Sequence, residues 1–432
     1  MDMKDLPVNQ VINGDSAVVL STFPENSIDC IVTDPPYGMS FMGFEWDKAL
    51  PPKKVFLEMC RVLKPGGLAF VMSSPRQDLM WRMAQLLEES GFKLELSFIC
   101  WIYNNGFPKA YDVSRGIDKK FGLEREVIGV IDRTSAYNEV GYSGGVRGYE
   151  PTSFDVTKPN SPEAKKYDGH KAVSGLKPSH EVIFMVQKPL SEKSIVDNVL
   201  KHGTGSINVD ACRIPIEDEV ISSTVNSPEK ATVYGKYNQV MYVSDIDGRF
   251  PPNLLVSDNA LDTDKKDDTN TVSDGVYSMS RSRFFNLDVW GKHKGYFVVP
   301  KPSTGERDRG LIGEKESVKN FFSADKETGE RFDGNTNLPR INTHPTVKPV
   351  LLGAYLCELG CPPDGIVLDP FCGSGSFLIS AASMGKKYIG VELSPEFHKL
   401  SEDRLSIDLS YYRKIMPKIV RKEENTLPPA DW

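Results

Sequence analysis

The stretch Ile28-Asp29-Cys30-Ile31-Val32-Thr33-Asp34-Pro35-Pro36-Tyr37-Gly38 decides how the rest of the chain is read. Its first residues form a short apolar, β-branched run, the pattern of a buried strand. Pro35 and Pro36 cannot donate to a sheet ladder, so the strand must stop there and leave Asp34 at its carboxyl end. In open α/β sheets that end is where ligands bind.

Outward from this strand the chain alternates. Toward the start, Val11-Ile12 reads as a strand that ends in the turn Asn13-Gly14-Asp15-Ser16, with Asp15 placed either to cap a helix or to accept from a ligand. Downstream, Val55, Phe56, Met59, Val62 and Leu63 repeat at helical spacing. Lys64-Pro65-Gly66-Gly67 is expected to end that helix before a strand over 68–72. An amphipathic helix is predicted over 77–90, closed by Gly91, followed by a strand-rich stretch over 92–103 and a strand at His180-Glu181-Val182-Ile183-Phe184-Met185-Val186.

The same rhythm returns near the end. Val347, Val350, Leu351, Ala354 and Tyr355 have helical spacing, and Gly365-Ile366-Val367-Leu368 reads as a strand entering Asp369-Pro370-Phe371-Cys372-Gly373-Ser374-Gly375-Ser376. Gly373 and Gly375 permit close approach of backbone to a ligand, although Leu378 breaks the Gly-x-Gly-x-x-Gly dinucleotide fingerprint. Lys387-Tyr388-Ile389-Gly390-Val391 is a further strand with Glu392 at its end, placed to bind a ribose diol. The predicted fold is α/β: a doubly wound, mostly parallel, Rossmann-like sheet built from both ends of the chain.

Between the ends the pattern dissolves. Residues 104–179 turn to Gly, Ser, Pro and charge, with Ser143-Gly144-Gly145-Val146-Arg147-Gly148-Tyr149 as the expected loop. Residues 189–343 hold short apolar pieces in long polar tracts. There Arg281-Ser282-Arg283-Phe284-Phe285 and Lys292-His293-Lys294-Gly295-Tyr296 interleave cations with aromatics, as either a nucleic-acid surface or a solvated face with its aromatics turned inward would. The expected division is 1–190, an inserted region 191–343, and 344–432. The tail beyond residue 407 reads as a solvated helix and frayed end.

Composition narrows the class. At 432 residues with 59 acidic and 52 basic side chains, net charge −7, the chain cannot hold nucleic acid by bulk charge, so any such contact requires a local basic cleft. Its seven cysteines lack the paired spacing of a structural zinc and read as reduced core thiols; no metal is expected. No apolar run reaches the roughly 20 residues of a membrane span, which gives the expectation of a cytoplasmic protein with no membrane partner.

An acidic residue, two prolines and an aromatic ring suit transfer to an exocyclic amine of a base, whose lone pair is delocalised into the ring. A carboxylate and a rigid carbonyl accept its two N–H protons and draw the pair back onto nitrogen. Tyr37 offers a face on which a base taken out of the duplex can stack.

Together these motifs resemble the S-adenosylmethionine-dependent amino-group DNA methyltransferases in their permuted β arrangement, over the two outer parts of the chain. The resemblance implies that Asp34, Pro35, Pro36 and Tyr37 bind the amine and stack the base, while Asp369, Phe371, Gly373 and Gly375 form the cofactor loop. It places Glu392 on the ribose, Asp15 near the adenine, and Thr346 and Lys348 of His344-Pro345-Thr346-Val347-Lys348-Pro349 near the methionine carboxylate of S-adenosylmethionine. Arg61-Val62-Leu63-Lys64-Pro65-Gly66-Gly67 and His180-Glu181 read as scaffold. Many relatives carry Gly-Ser-Gly-Thr-Thr where this chain has Gly373-Ser374-Gly375-Ser376-Phe377, with Ser376 supplying a hydroxyl. The implied substrate is double-stranded DNA and the implied product N6-methyladenine, because Asp at the head of the motif is associated with adenine. Cytosine N4 methylation, methylation of RNA or a protein glutamine, and a non-catalytic DNA-binding protein are the alternatives. Monomer and homodimer stay open.

Overall fold

The computed structural model describes residues 2–39, 47–103, 110–132, 153–173, 176, 178–215, 248–257, 260–261, 282, 285–295, 307–308, 311, 316–317, 320–324, 331–334, 339–340 and 342–406. They fall in two compact units. One combines Met1–Asn104, His180–Glu316 and Arg340–Trp432, and the other Asn105–Ser179 with Ser317–Pro339.

The larger unit is built on eight strands: β1 (Gln10–Asn13), β2 (Ile28–Thr33), β3 (Leu63–Ser73), β4 (Ile99–Ile102), β5 (His180–Gln187), β6 (Leu254–Val256), β7 (Ile366–Asp369) and β8 (Lys387–Glu392). Their order across the sheet is β1-β8-β7-β2-β3-β5-β4-β6. β5 runs antiparallel to both neighbours and the remaining pairs are parallel. The mostly parallel α/β sheet drawn from both chain ends is therefore observed: β7 and β8 fit between β1 and β2.

β2 is buried along its whole length, so its side chains feed two cores, one on each face of the sheet. Cys30 and Val32 join Leu68, Phe70 and Val367 beneath the helix α6 (Val350–Gly360), which supplies Leu352, Tyr355 and Leu356. Ile28 and Ile31 face the other way with Ala69, Val71, Leu368 and Ile389. That second face is covered by α1 (Ser16–Ser21), α2 (Lys53–Val62) and α3 (Gln77–Glu89) through Leu20, Phe56, Met59, Met83 and Leu87. Each such side chain contributes about 1.5–3 kcal/mol of transfer free energy. α6 is buried on nearly every side, as its apolar sequence requires.

Three expectations change. Lys64-Pro65-Gly66-Gly67 does not separate helix from strand: α2 already ends at Val62, β3 begins at Leu63, and the pairing jumps from Ile28↔Leu63 to Cys30↔Leu68. The four residues bulge out of the strand, with Gly66 at φ +78. Second, the division at 190 and 343 differs from that of the compact units. β6 pairs with β4 as the outer strand, while α4 (Ile195–His202) and α5 (Leu287–His293) belong to the larger unit. Trp290 of α5 packs edge-on to Tyr355 at 5.0 Å and donates to the Ala211 carbonyl. Burying that indole binds the middle of the chain into the main core.

Third, the described part of 104–179, where the pattern dissolves, holds regular elements. Helices Val113–Lys120 and Pro162–Lys166 and paired strands such as Val127–Asp132 with Ser153–Thr157 make the smaller unit. Its hub is the buried Asp118 carboxylate, which accepts from Ser161 N and Oγ and Asn160 N and pairs with Arg125 at 3.3 Å. The loop 143–149, residues 281, 283 and 284 of the first cation–aromatic cluster, residue 296 of the second, and the tail beyond 406 lie outside the described residues. Among the described residues, no helix is long and apolar enough to cross a membrane.

Candidate active site

Because β1, β2, β7 and β8 are parallel, their carboxyl ends emerge along one edge of the sheet. β5 runs the other way, with Val182 opposite Ser73 at the end of β3, so its amino end, and with it Glu181, reaches the same edge. Thr33 Oγ1 donates to Asp369 Oδ1 at 2.7 Å and thereby ties the end of β2 to the end of β7. Phe371 N donates to the same oxygen at 3.1 Å, which starts the glycine turn.

Just beyond Thr33, four ionisable side chains converge. The Lys348 ammonium lies 2.8 Å from Asp34 Oδ2 and 3.0 Å from Glu181 Oε2. The Tyr37 hydroxyl is 2.6 Å from Asp34 Oδ1 and 3.1 Å from Glu181 Oε2, so two carboxylates compete for its one proton. Lys348 Nζ also sits 5.4 Å from the Tyr37 ring centroid. Side-chain exposures of 10%, 15% and 18% for Lys348, Asp34 and Glu181 leave little water to screen these charges.

Burial, and then the Glu181 carboxylate, push the Asp34 carboxyl above its usual range, against the pull of Lys348. Burial alone would lower the Lys348 ammonium, but Asp34 and Glu181 outweigh it and hold it charged above the usual lysine range. Tyr37 is raised by burial and both carboxylates and stays a phenol. Pro35 is buried behind the turn. The turn itself is pinned by the buried Asp47, whose Oδ1 accepts from Tyr37 N at 2.8 Å and Gly38 N at 2.9 Å.

The glycine turn follows β7. Gly373 adopts φ +51, and a Cβ there would lie 2.6 Å from His344 Nε2; Gly375, at φ +78, begins α7 (Ser376–Ser383). Gly373 N donates to Glu392 Oε2 at 2.8 Å and Ser394 N to Oε1 at 2.9 Å. Burial raises the Glu392 carboxyl, and it raises that of Asp369 to about 7. Behind the turn, the fully buried Arg404 of α8 (Pro395–Leu405) contacts Ser374 O, Ser374 Oγ at 2.8 Å and Ser376 Oγ at 3.3 Å. His344 accepts from Thr346 N at Nδ1 and packs edge-on to Phe397 at 4.5 Å. Burial, then Arg307, Arg404 and Lys348, depress it to about 3 and keep the ring neutral.

One cavity of about 550 Å³ joins both halves, bounded by Asp34 and Pro36 on one side and by Asp369, Phe371, Gly373 and Glu392 on the other. Asp15, Thr346 and Lys348 line it too. Asp15 also caps α1 through Val18 N at 3.1 Å, the capping reading of that residue. The structure thus gathers Asp15, Asp34, Pro36, Thr346, Lys348, Asp369, Phe371, Gly373 and Glu392 around one space. It sets the Lys348 ammonium on the Asp34 and Glu181 carboxylates, because a buried cation goes to its nearest anions. Sequence reading missed Asp47, Arg404 and above all Glu181, which it took as scaffold. No local signal marked Glu181, because its place at this edge depends on β5 running antiparallel to its neighbours.

A family model for DNA methylases matches residues 28–403, and the chain belongs to that N6/N4 DNA methylase family. It is similar to the DNA adenine methyltransferase YhdJ of Escherichia coli K12, 28% identical over 140 residues, 31% of this chain and 46% of that one. It is also similar to the type II methyltransferase M.HpaI of Haemophilus parainfluenzae, 26% identical over 172 residues, 36% of this chain and 54% of that one. The chain spans about half the length of these curated relatives. Among solved structures, the PvuII cytosine-N4-specific DNA methyltransferase aligns over 93% of this chain and 88% of that one, with 13% identity and TM-score 0.40. The M1.HpyAVI complex with SAM aligns over 92% and 99%, with 15% identity and TM-score 0.37.

Proposed function

We propose that this protein is an S-adenosylmethionine-dependent DNA methyltransferase acting on the exocyclic N6 amine of an adenine flipped out of the duplex. The observation that carries the reading is the single cavity in which the Asp34 carboxylate faces the Gly373 turn and Glu392. Membership of the N6/N4 family supports it, and Asp34 at the head of the motif favours adenine over cytosine.

The residues fit the cofactor. Both Glu392 oxygens accept from backbone N–H groups yet retain lone pairs for a ribose diol. Phe371, Val391 and Phe397 offer apolar walls for a base, and the approach at Gly373 leaves no room for a Cβ. Gly373, Glu392, Asp15 and Thr346 would hold S-adenosylmethionine, which when bound supplies an electrophilic methyl group on a sulfonium.

The protein's own part is positioning and electrostatics. Asp34 accepts an N–H of the amine and draws the lone pair onto nitrogen for in-line attack. Tyr37 provides the stacking face, and Asp47 fixes the backbone that carries it. Lys348 pulls Asp34 toward its ionised form, against the raising effect of burial. Extrusion costs a few kcal/mol, offset by stacking and by the contacts at Asp34. The test is incubation with methyl-labelled S-adenosylmethionine and duplex DNA, followed by nucleoside analysis. Label in N6-methyladenine is the expected outcome; label in N4-methylcytosine would reverse the choice of base, and its absence from DNA would overturn the function.

A further inference from the structure

Resting on the amino-methyltransferase reading above, we infer that Glu181 is a positioning residue that draws Lys348 and the Tyr37 hydroxyl off Asp34 when the target amine arrives. As the site stands, both Asp34 oxygens are occupied: Oδ1 by the Tyr37 hydroxyl at 2.6 Å and Oδ2 by Lys348 at 2.8 Å. An amine N–H needs one of them. Glu181 Oε2 already lies 3.0 Å from the same ammonium and 3.1 Å from the same hydroxyl, so both donors transfer to it with small movements. Their charge-assisted hydrogen bonds are then exchanged, not lost, which keeps the buried ammonium from being stranded.

The fold supplies this second acceptor through the reversed direction of β5, which brings the strand's amino end beside the carboxyl ends of its neighbours. Two carboxylates around one ammonium leave the cluster one negative charge in excess, which suits a site where a cationic nitrogen develops. Without Glu181, Lys348 and Asp34 would form a closed one-to-one pair, and the incoming amine would have to break it.

The test compares full-length parent, Glu181→Gln, Lys348→Met and the double variant in single-turnover methyl transfer to duplex DNA, with cofactor affinity by calorimetry. Glu181→Gln should lower the transfer rate roughly ten- to a hundredfold, the range of couplings between contacting residues, with cofactor affinity unchanged. In the Lys348→Met background the same change should cost several-fold less than in the parent, because the cation is gone and only the Tyr37 hydroxyl remains to be drawn away. Losses that multiply instead, or a Glu181→Gln rate equal to the parent's, would overturn the inference. The acid limb of the rate should also move to lower pH in Glu181→Gln. Of the groups facing Asp34, that variant removes a carboxylate and leaves Lys348, Tyr37 and Asp369; an unmoved limb would contradict it. Glu181→Asp, which keeps the charge, should restore part of the rate, and serves if the Gln variant does not fold. A parent that binds cofactor but transfers no methyl to DNA would instead defeat the underlying function.

Discussion

Replacing Gly373 with valine tests the cofactor turn in two separable ways. The first cost is conformational: Gly373 sits at φ +51, where a β-branched residue is strained by about 1–3 kcal/mol. The second is steric, since the new Cβ would lie 2.6 Å from His344 Nε2. His344 cannot simply yield, being held by Thr346 N on one side and packed against Phe397 on the other. The turn must therefore shift, taking with it the N–H that Glu392 accepts. A displacement worth about 1.4–3 kcal/mol in binding is a ten- to roughly hundredfold loss of affinity. Gly385 is the matched control: it has φ +72, but a Cβ there meets nothing within 4 Å. Calorimetric titration with S-adenosylmethionine should show Gly385→Val binding like the parent, with only some loss of melting temperature, and Gly373→Val binding at least tenfold more weakly. Parental affinity in Gly373→Val, or equal losses in both, would refute the reasoning.

Arg404→Met should lower melting temperature and cofactor affinity together, because the contacts to Ser374 and Ser376 are made by one buried guanidinium; charge-assisted bonds of this kind are worth about 1.5–3 kcal/mol, and a variant with parental affinity would contradict it. His344 falls from 6.5 in the free side chain to about 3 in the fold, so its contribution to stability is full above about 6.5 and is lost as pH falls toward 3. Melting curves of His344→Gln should accordingly show a shallower acid slope in that window than the parent's. Affinity for duplex DNA should fall steeply with salt despite the net charge of −7, as filter binding or fluorescence anisotropy would show, since only local basic contacts can serve.

What was legible in the sequence follows from how local each signal is. β2 and its stop were legible because an apolar run and two prolines act on their own neighbours, and the Gly373 turn because a strand, two glycines and a helix follow in order. Glu181 was not, since its meaning depends on the direction in which β5 enters the sheet, a property of the topology and not of the residues around it. Leu254–Val256 was too short an apolar piece to be assigned to the main sheet before its partner β4 was known. The smaller unit escaped notice because its helix Val113–Lys120 carries four charged side chains in eight residues, Arg115, Asp118, Lys119 and Lys120, and only two large apolar ones, Val113 and Ile117. Its Asp118 hub is polar, so no hydrophobic period announces it.

The central claim is that Asp34 holds the amine while it is methylated, and the most direct measurement is single-turnover methyl transfer by Asp34→Ala. Loss of one well-placed electrostatic contact, about 3–4 kcal/mol, should slow the step roughly a hundred- to a thousandfold. Binding of S-adenosylmethionine should persist, because the Gly373 turn and Glu392 are untouched, and the parent's product should be N6-methyladenine. Undiminished transfer by Asp34→Ala would contradict the account.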